Sequence, residues 1–92
     1  MTERLSTVMV VDDSTFMRTL ISEMVESTRE YRVIGTAGDG IQAIEAIRSL
    51  NPDIVTLDIE MPLLDGLQSL DTIMREMPRP VVMLSHAGSE RG

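Results

Sequence analysis

The sequence predicts an α/β domain: one parallel sheet with helices on both of its faces. Three observations carry that prediction. Short apolar runs rich in β-branched residues alternate with stretches whose apolar residues recur at helical spacing. The runs are apolar at consecutive positions, which suits strands covered on both faces. Strand and helix signals follow one another singly, the order that right-handed crossovers between parallel strands produce. With 92 residues, the chain has room for one domain, residues 1–92.

The first strand is the run Thr7-Val8-Met9-Val10-Val11. After Asp12-Asp13, the Ser14 hydroxyl can cap a helix whose apolar stripe is Met17, Leu20, Ile21, Met24 and Val25. The next strand mixes Arg32 and Gly35 among its apolar residues and reads as an edge strand. Gly38-Asp39-Gly40 is a turn, without the glycine pattern of a dinucleotide-binding loop. A second helix presents Ile41, Ile44, Ile47 and Leu50 and ends at Asn51-Pro52. Ile54-Val55-Thr56-Leu57 is the third strand. Asp65-Gly66 opens a third helix with Leu67, Leu70, Ile73, Met74 and Met77 on its apolar side, and Pro78 stops it. Val81-Val82-Met83-Leu84 is the fourth strand, and a polar tail follows from Ser85. Most of the eight methionines fall at positions expected to face the core, where the flexible thioether serves as filler.

Composition narrows the function classes. All eight basic residues are arginine, against fifteen acidic ones, for a net charge of −7. No basic stripe is available to neutralise phosphates, so nucleic acid and anionic membranes are excluded as expected partners. Zero cysteines exclude a disulfide, a thiolate zinc site and a cysteine nucleophile. The apolar runs are too short to span a membrane, no signal-peptide segment opens the chain, and cytoplasmic residence is the expectation.

Ligands of open α/β sheets gather at the carboxyl ends of the strands. The first strand ends in Asp12-Asp13, the third in Asp58 and the fourth in Ser85. Parallel strands bring all four residues to one rim. Two carboxylates about 4 Å apart repel by roughly 4 kcal/mol at an effective dielectric of about 20. A hard divalent cation such as Mg²⁺, which takes one or two carboxylates and keeps several waters, offsets that repulsion. Any single Asp here could be an ordinary turn residue; three at one rim point to a metal pocket.

The stretches Val8-Met9-Val10-Val11-Asp12-Asp13-Ser14, Asp53-Ile54-Val55-Thr56-Leu57-Asp58-Ile59-Glu60-Met61-Pro62-Leu63-Leu64-Asp65-Gly66 and Pro80-Val81-Val82-Met83-Leu84-Ser85 resemble the receiver domain of two-component response regulators. Ser14-Thr15-Phe16-Met17-Arg18 and Ile73-Met74-Arg75 make the chain most similar to receivers of chemotaxis protein-glutamate methylesterases. The resemblance implies a flavodoxin-like parallel sheet in the order 2-1-3-4 with three helices. It implies that Asp58 is the phospho-acceptor for a histidine kinase. It also implies that Asp13 binds Mg²⁺ directly, Asp12 largely through water, and the Glu60 backbone carbonyl as a further ligand. Ser85 matches the hydroxyl that contacts the phosphoryl group. Bottom-up chemistry agrees, because phosphoryl transfer needs a placed nucleophile and charge neutralisation.

Receivers of this family have five βα units, whereas these residues supply four strands and three helices. The family's lysine and aromatic switch residue belong to the fifth strand, so an incomplete receiver is expected, lacking that strand and the last helices. An uncovered fourth strand then predicts self-association along its edge. No nucleophilic-serine motif is present, so methylesterase activity is not assigned to these residues. The expected function is a phospho-acceptor module, the regulatory part of a methylesterase. The alternative is a non-signalling fragment with an idle acidic pocket. A phosphatase with an Asp nucleophile is disfavoured, because Asp58-Ile59-Glu60 lacks the second Asp and following Thr. His86 at the pocket rim reads as a loop residue ahead of a phosphoryl-access role, and Arg18 as a solvated charge on the first helix ahead of an approach to the acidic pocket.

Overall fold

The computed structural model describes residues 4–61 and 65–85. The elements are β1 (Ser6–Val11), α1 (Thr15–Ser27), β2 (Tyr31–Ala37), α2 (Gly40–Leu50), β3 (Ile54–Asp58), α3 (Gly66–Glu76) and β4 (Val81–Leu84). All strand pairs are parallel, and the sheet runs β2-β1-β3-β4. The fold class, the strand order and the edge position of β2 match the expectation from sequence.

Local chemistry sets the element ends. The Ser14 hydroxyl accepts from the Met17 N–H at 3.2 Å and opens α1. Asp39 accepts from Gln42 N–H at 2.8 Å at the start of α2. Asp65 and Gln68 form a reciprocal capping box on α3. Asn51 closes α2 in the left-handed region, with φ of 50°, a conformation Asn tolerates. One irregularity interrupts the sheet: Val8 pairs with Val33 but Met9 with Gly35, so Ile34 is an extra residue on β2.

Strand alternation divides the core into two halves. Met9, Val11, Val55 and Leu57 face α2 and α3, where Ala43, Ile47 and Ile73 close the layer. Val8 and Val10 face the other way, beneath Ile21 of α1. The α2 and α3 stripes differ from those expected. Ile41 and Leu50 are exposed, as are Leu67 (61%) and Met74 (48%). Ile44, Ile47 and Ile73 are buried as expected, joined by Gly40 and Ala43 on α2 and by Gly66 and Ser69 on α3. Small residues at these positions let the helix axes approach the sheet closely, so the contact line is set by the small side chains and the bulky ones flank it. Met24 is also exposed, unlike the filler methionines Met9 and Met61.

The α1 side is covered only in part among the described residues. Helix α1 packs over β1 and β2. An apolar groove lined by Met17, Leu20, Met24, Thr56 and Leu84 runs beside it above β3 and β4. No helix among the described residues is long and apolar enough to cross a membrane.

Candidate functional site

The site lies where β1 and β3 end. Strand β1 delivers Asp12 and Asp13 one after the other, and the pleat sends them to different environments. Asp12 is fully buried (0%) and Asp13 is exposed. Asp58, the last residue of β3, is 1% exposed. One carboxylate oxygen from each of the three lies within 4.8 Å of the others. At that spacing each pair repels by about 3 kcal/mol at an effective dielectric of about 20. Three hard oxygen donors converging from two adjacent strands are a donor set suited to a hard divalent cation. The residues therefore fit a metal of the Mg²⁺ class on their own chemistry.

Backbone donors hold the acids in place. The Asp12 N–H donates to the Ala37 carbonyl at 3.0 Å, tying the end of β1 to the end of β2. Asp12 Oδ1 accepts the Ser14 N–H at 2.9 Å, so this carboxylate shapes the β1–α1 loop as well as the pocket. Asp58 Oδ1 accepts the Glu60 N–H at 3.1 Å, the equivalent turn after β3. The Ile59 N–H donates to the Leu84 carbonyl at 2.9 Å, which brings the exit of β4 beside that of β3. Ser85 follows immediately and is exposed on this rim.

Gly66 explains why Asp65-Gly66 sits where it does. Its N–H donates to the Ile59 carbonyl at 3.0 Å. A Cβ on residue 66 would collide with the Asp58 carbonyl oxygen and lie 2.8 Å from the Ile59 oxygen. The start of α3 therefore rests on the backbone of the loop that follows β3, an approach that only glycine permits.

The three carboxylates picked out from sequence are brought together, with Ser85 on the same rim and the Glu60 N–H bonded to Asp58. His86 and residues 62–64 of the long motif lie outside the described residues. Arg18 is corrected. It is half-buried and folded back onto the β1–α1 loop, with Nη1 donating to the Asp12 carbonyl at 2.7 Å. Helical spacing alone places Arg18 on α1 but does not say that its long stem turns toward the strand.

Residues 8–91 match the response regulator receiver domain family. The protein-glutamate methylesterase/protein-glutamine glutaminase 2 of Nitratidesulfovibrio vulgaris is 57% identical over 83 residues, covering 90% of this chain and 23% of that protein. The Thermotoga maritima protein-glutamate methylesterase/protein-glutamine glutaminase is 43% identical over 90 residues, covering 98% of this chain and 26% of its own length. Among solved structures, the response regulator domain of Thermotoga maritima CheB superposes with a TM-score of 0.87 at 42% identity, over 97% of this chain and 66% of that one. A CheX-CheY-BeF3-Mg²⁺ complex from Borrelia burgdorferi matches with a TM-score of 0.80 at 36% identity, over 94% of this chain and 66% of that one. The chain thus spans about a quarter of the length of the methylesterase relatives. It belongs to the response regulator receiver domain family and is similar to the receivers of CheB protein-glutamate methylesterases.

Proposed function

We propose that the chain, residues 1–92 taken as part of one receiver domain, accepts a phosphoryl group on Asp58 from a chemotaxis histidine kinase and serves as the regulatory part of a methylesterase. The observation that carries this reading is the convergence of Asp12, Asp13 and Asp58 within 4.8 Å in a chain of the receiver family. An Asp58 carboxylate oxygen attacks phosphorus, the P–N bond to the donor imidazole breaks, and its electron pair stays with the imidazole. Asp13 would hold Mg²⁺ directly and Asp12 largely through water, with an Asp58 oxygen and the Glu60 carbonyl as the further protein ligands. Mg²⁺ when bound supplies the charge neutralisation that phosphoryl transfer requires. Burial of Asp58 keeps competing water away, and its bond from the Glu60 N–H orients one oxygen. Ser85 offers its hydroxyl to the transferred group. The similarity to a chain solved in a complex with BeF3 and Mg²⁺ supports the same assignment.

The test is incubation with Mg²⁺ and a small acyl phosphate, read by intact mass. A gain of one phosphoryl group, absent in Asp58→Asn, is expected; no gain, or the same gain in the variant, refutes the reading.

The alternative, an idle pocket in a self-associating fragment, is favoured by one feature. Strand β4 ends the sheet among the described residues, with Val82 exposed and the neighbouring α1 groove lined by Leu20 and Met24. An open apolar edge of this kind invites strand pairing with another chain. Sedimentation of the 92-residue chain at micromolar concentration separates the readings: a dimer broken by Val82→Lys supports edge pairing, and a cooperatively unfolding monomer excludes it.

A further inference from the structure

We infer that Arg18 is a positioning residue for the acidic site, acting through the peptide that joins Asp12 to Asp13, with Gly38 shaped to admit its guanidinium. The inference rests on the metal-binding reading proposed above and adds a residue outside the ligand set. Arg18 Nη1 donates to the Asp12 carbonyl at 2.7 Å, and Nη2 donates to the Thr15 hydroxyl at 3.0 Å. The Asp12 carbonyl belongs to the peptide plane between the two acids. With the Asp12 N–H held by Ala37 at 3.0 Å and Oδ1 held by the Ser14 N–H at 2.9 Å, the Arg18 bond completes the restraint. The Arg18 bond is made to the plane itself and restrains it, and with it the direction in which Asp13 leaves Asp12.

Gly38 is the other half of the device. A Cβ there would lie 3.1 Å from Arg18 Nη1, closer than nearly all real contacts. No glycine among the described residues has a positive φ, so the backbone at 38 does not itself demand glycine. What a side chain there would have to displace is the guanidinium end of Arg18. The Gly38 N–H is taken by Gln42 Oε1 at 3.3 Å, which anchors this segment to α2. The guanidinium thus lies between two loops, each fixed to its own helix. It also places a delocalised cation beside the peptide that joins two of the three crowded carboxylates, where a fork of donors serves better than a point charge.

The experiment is a Mg²⁺ titration by calorimetry on the 92-residue chain and the variants Arg18→Gln, Arg18→Lys, Gly38→Ala and the double variant Arg18→Gln/Gly38→Ala. Amide hydrogen exchange of the metal-free proteins provides a second readout. Arg18→Gln is expected to weaken Mg²⁺ binding about tenfold, the low end for groups that orient a ligand from behind. It should also speed exchange at the Ser14 N–H while leaving Val10 protected. Arg18→Lys should recover part of the affinity, because an ammonium can reach one acceptor but cannot span both. Gly38→Ala should weaken binding in the arginine background and change nothing in the glutamine background. Wild-type binding that Arg18→Gln leaves within about twofold, or an equal Gly38→Ala effect in both backgrounds, overturns the positioning role alone. A flat wild-type titration overturns the metal reading and this inference together.

Discussion

At the amino-terminal ends of the strands, Asp53 accepts hydrogen bonds from the Thr7 N–H at 2.8 Å and the Thr7 hydroxyl at 3.1 Å. At the carboxyl ends, Asp12, Asp13 and Asp58 bring oxygens within 4.8 Å of one another. The same residue type therefore joins strands at one rim and accumulates charge at the other. The joining is reciprocal at the amino rim. The Asp53 N–H donates back to the Thr7 hydroxyl and carbonyl, each at 3.0 Å. Arg79 adds bonds to the Pro52 carbonyl at 2.6 Å and the Met77 carbonyl at 2.9 Å. Donors and acceptors are matched there, so that rim stabilises the fold. At the carboxyl rim, like charges are held by backbone bonds against their own repulsion. The difference teaches that the acidic rim is maintained by the rest of the molecule.

Four variants break or sharpen this contrast. The largest effect belongs to Gly66→Ala, where the clash is with backbone at Asp58 and Ile59 that cannot rotate away. A loss of about 3 kcal/mol in chemical unfolding is expected, the upper range for overpacking. A loss under about 1 kcal/mol would mean that α3 does not rest on the loop after β3. Asp58→Asn comes next and should raise metal-free stability by about 1–2 kcal/mol, since it removes one member of the repelling trio. A fall in stability would show that the carboxyl rim is not under electrostatic load. Asp13→Asn should act in the same direction by less, because water already screens its exposed carboxylate, and should abolish the stabilisation that Mg²⁺ confers on the wild type.

The smallest effect is expected at the amino rim. Asp53→Asn should lower stability, the opposite sign to Asp58→Asn. Its pH dependence follows from the Thr7 N–H, and then the Thr7 hydroxyl, which hold the Asp53 carboxyl below its ordinary value of 3.8. A depressed folded-state value means the contribution is present above pH 3.8 and fades as pH falls through the folded-state value. The stability gap between wild type and Asp53→Asn should therefore be open at neutral pH and close below that value. A gap that stays constant on acidification would show that the bond to Thr7, and not the charge, carries the effect.

Much of this was legible in the sequence because it is local. Ser14 caps α1, Asp65-Gly66 opens α3, and Asn51-Pro52 ends α2 where the pattern stops. The β-branched runs became strands in the expected order. The stripes on α2 and α3 were offset, because period alone favours the bulky apolar residues Ile41, Leu50, Leu67 and Met74. The sheet instead accepts the small residues Ala43 and Ser69 beneath the helix axes. The pairing shift at Ile34 has no local signature beyond the glycine that follows it.

By itself the sequence determined the elements, their order, and the fact that acids stand at the ends of β1 and β3. Each of those follows from neighbours a few positions apart along the chain. Only the tertiary structure decided that Asp12 is buried while Asp13 meets water, how close the three carboxylates come, and that Arg18 turns inward to grip the peptide between two of them. Those outcomes depend on how far α1, β2 and β3 stand from one another. That spacing is set by packing between residues distant in sequence, which no local pattern encodes.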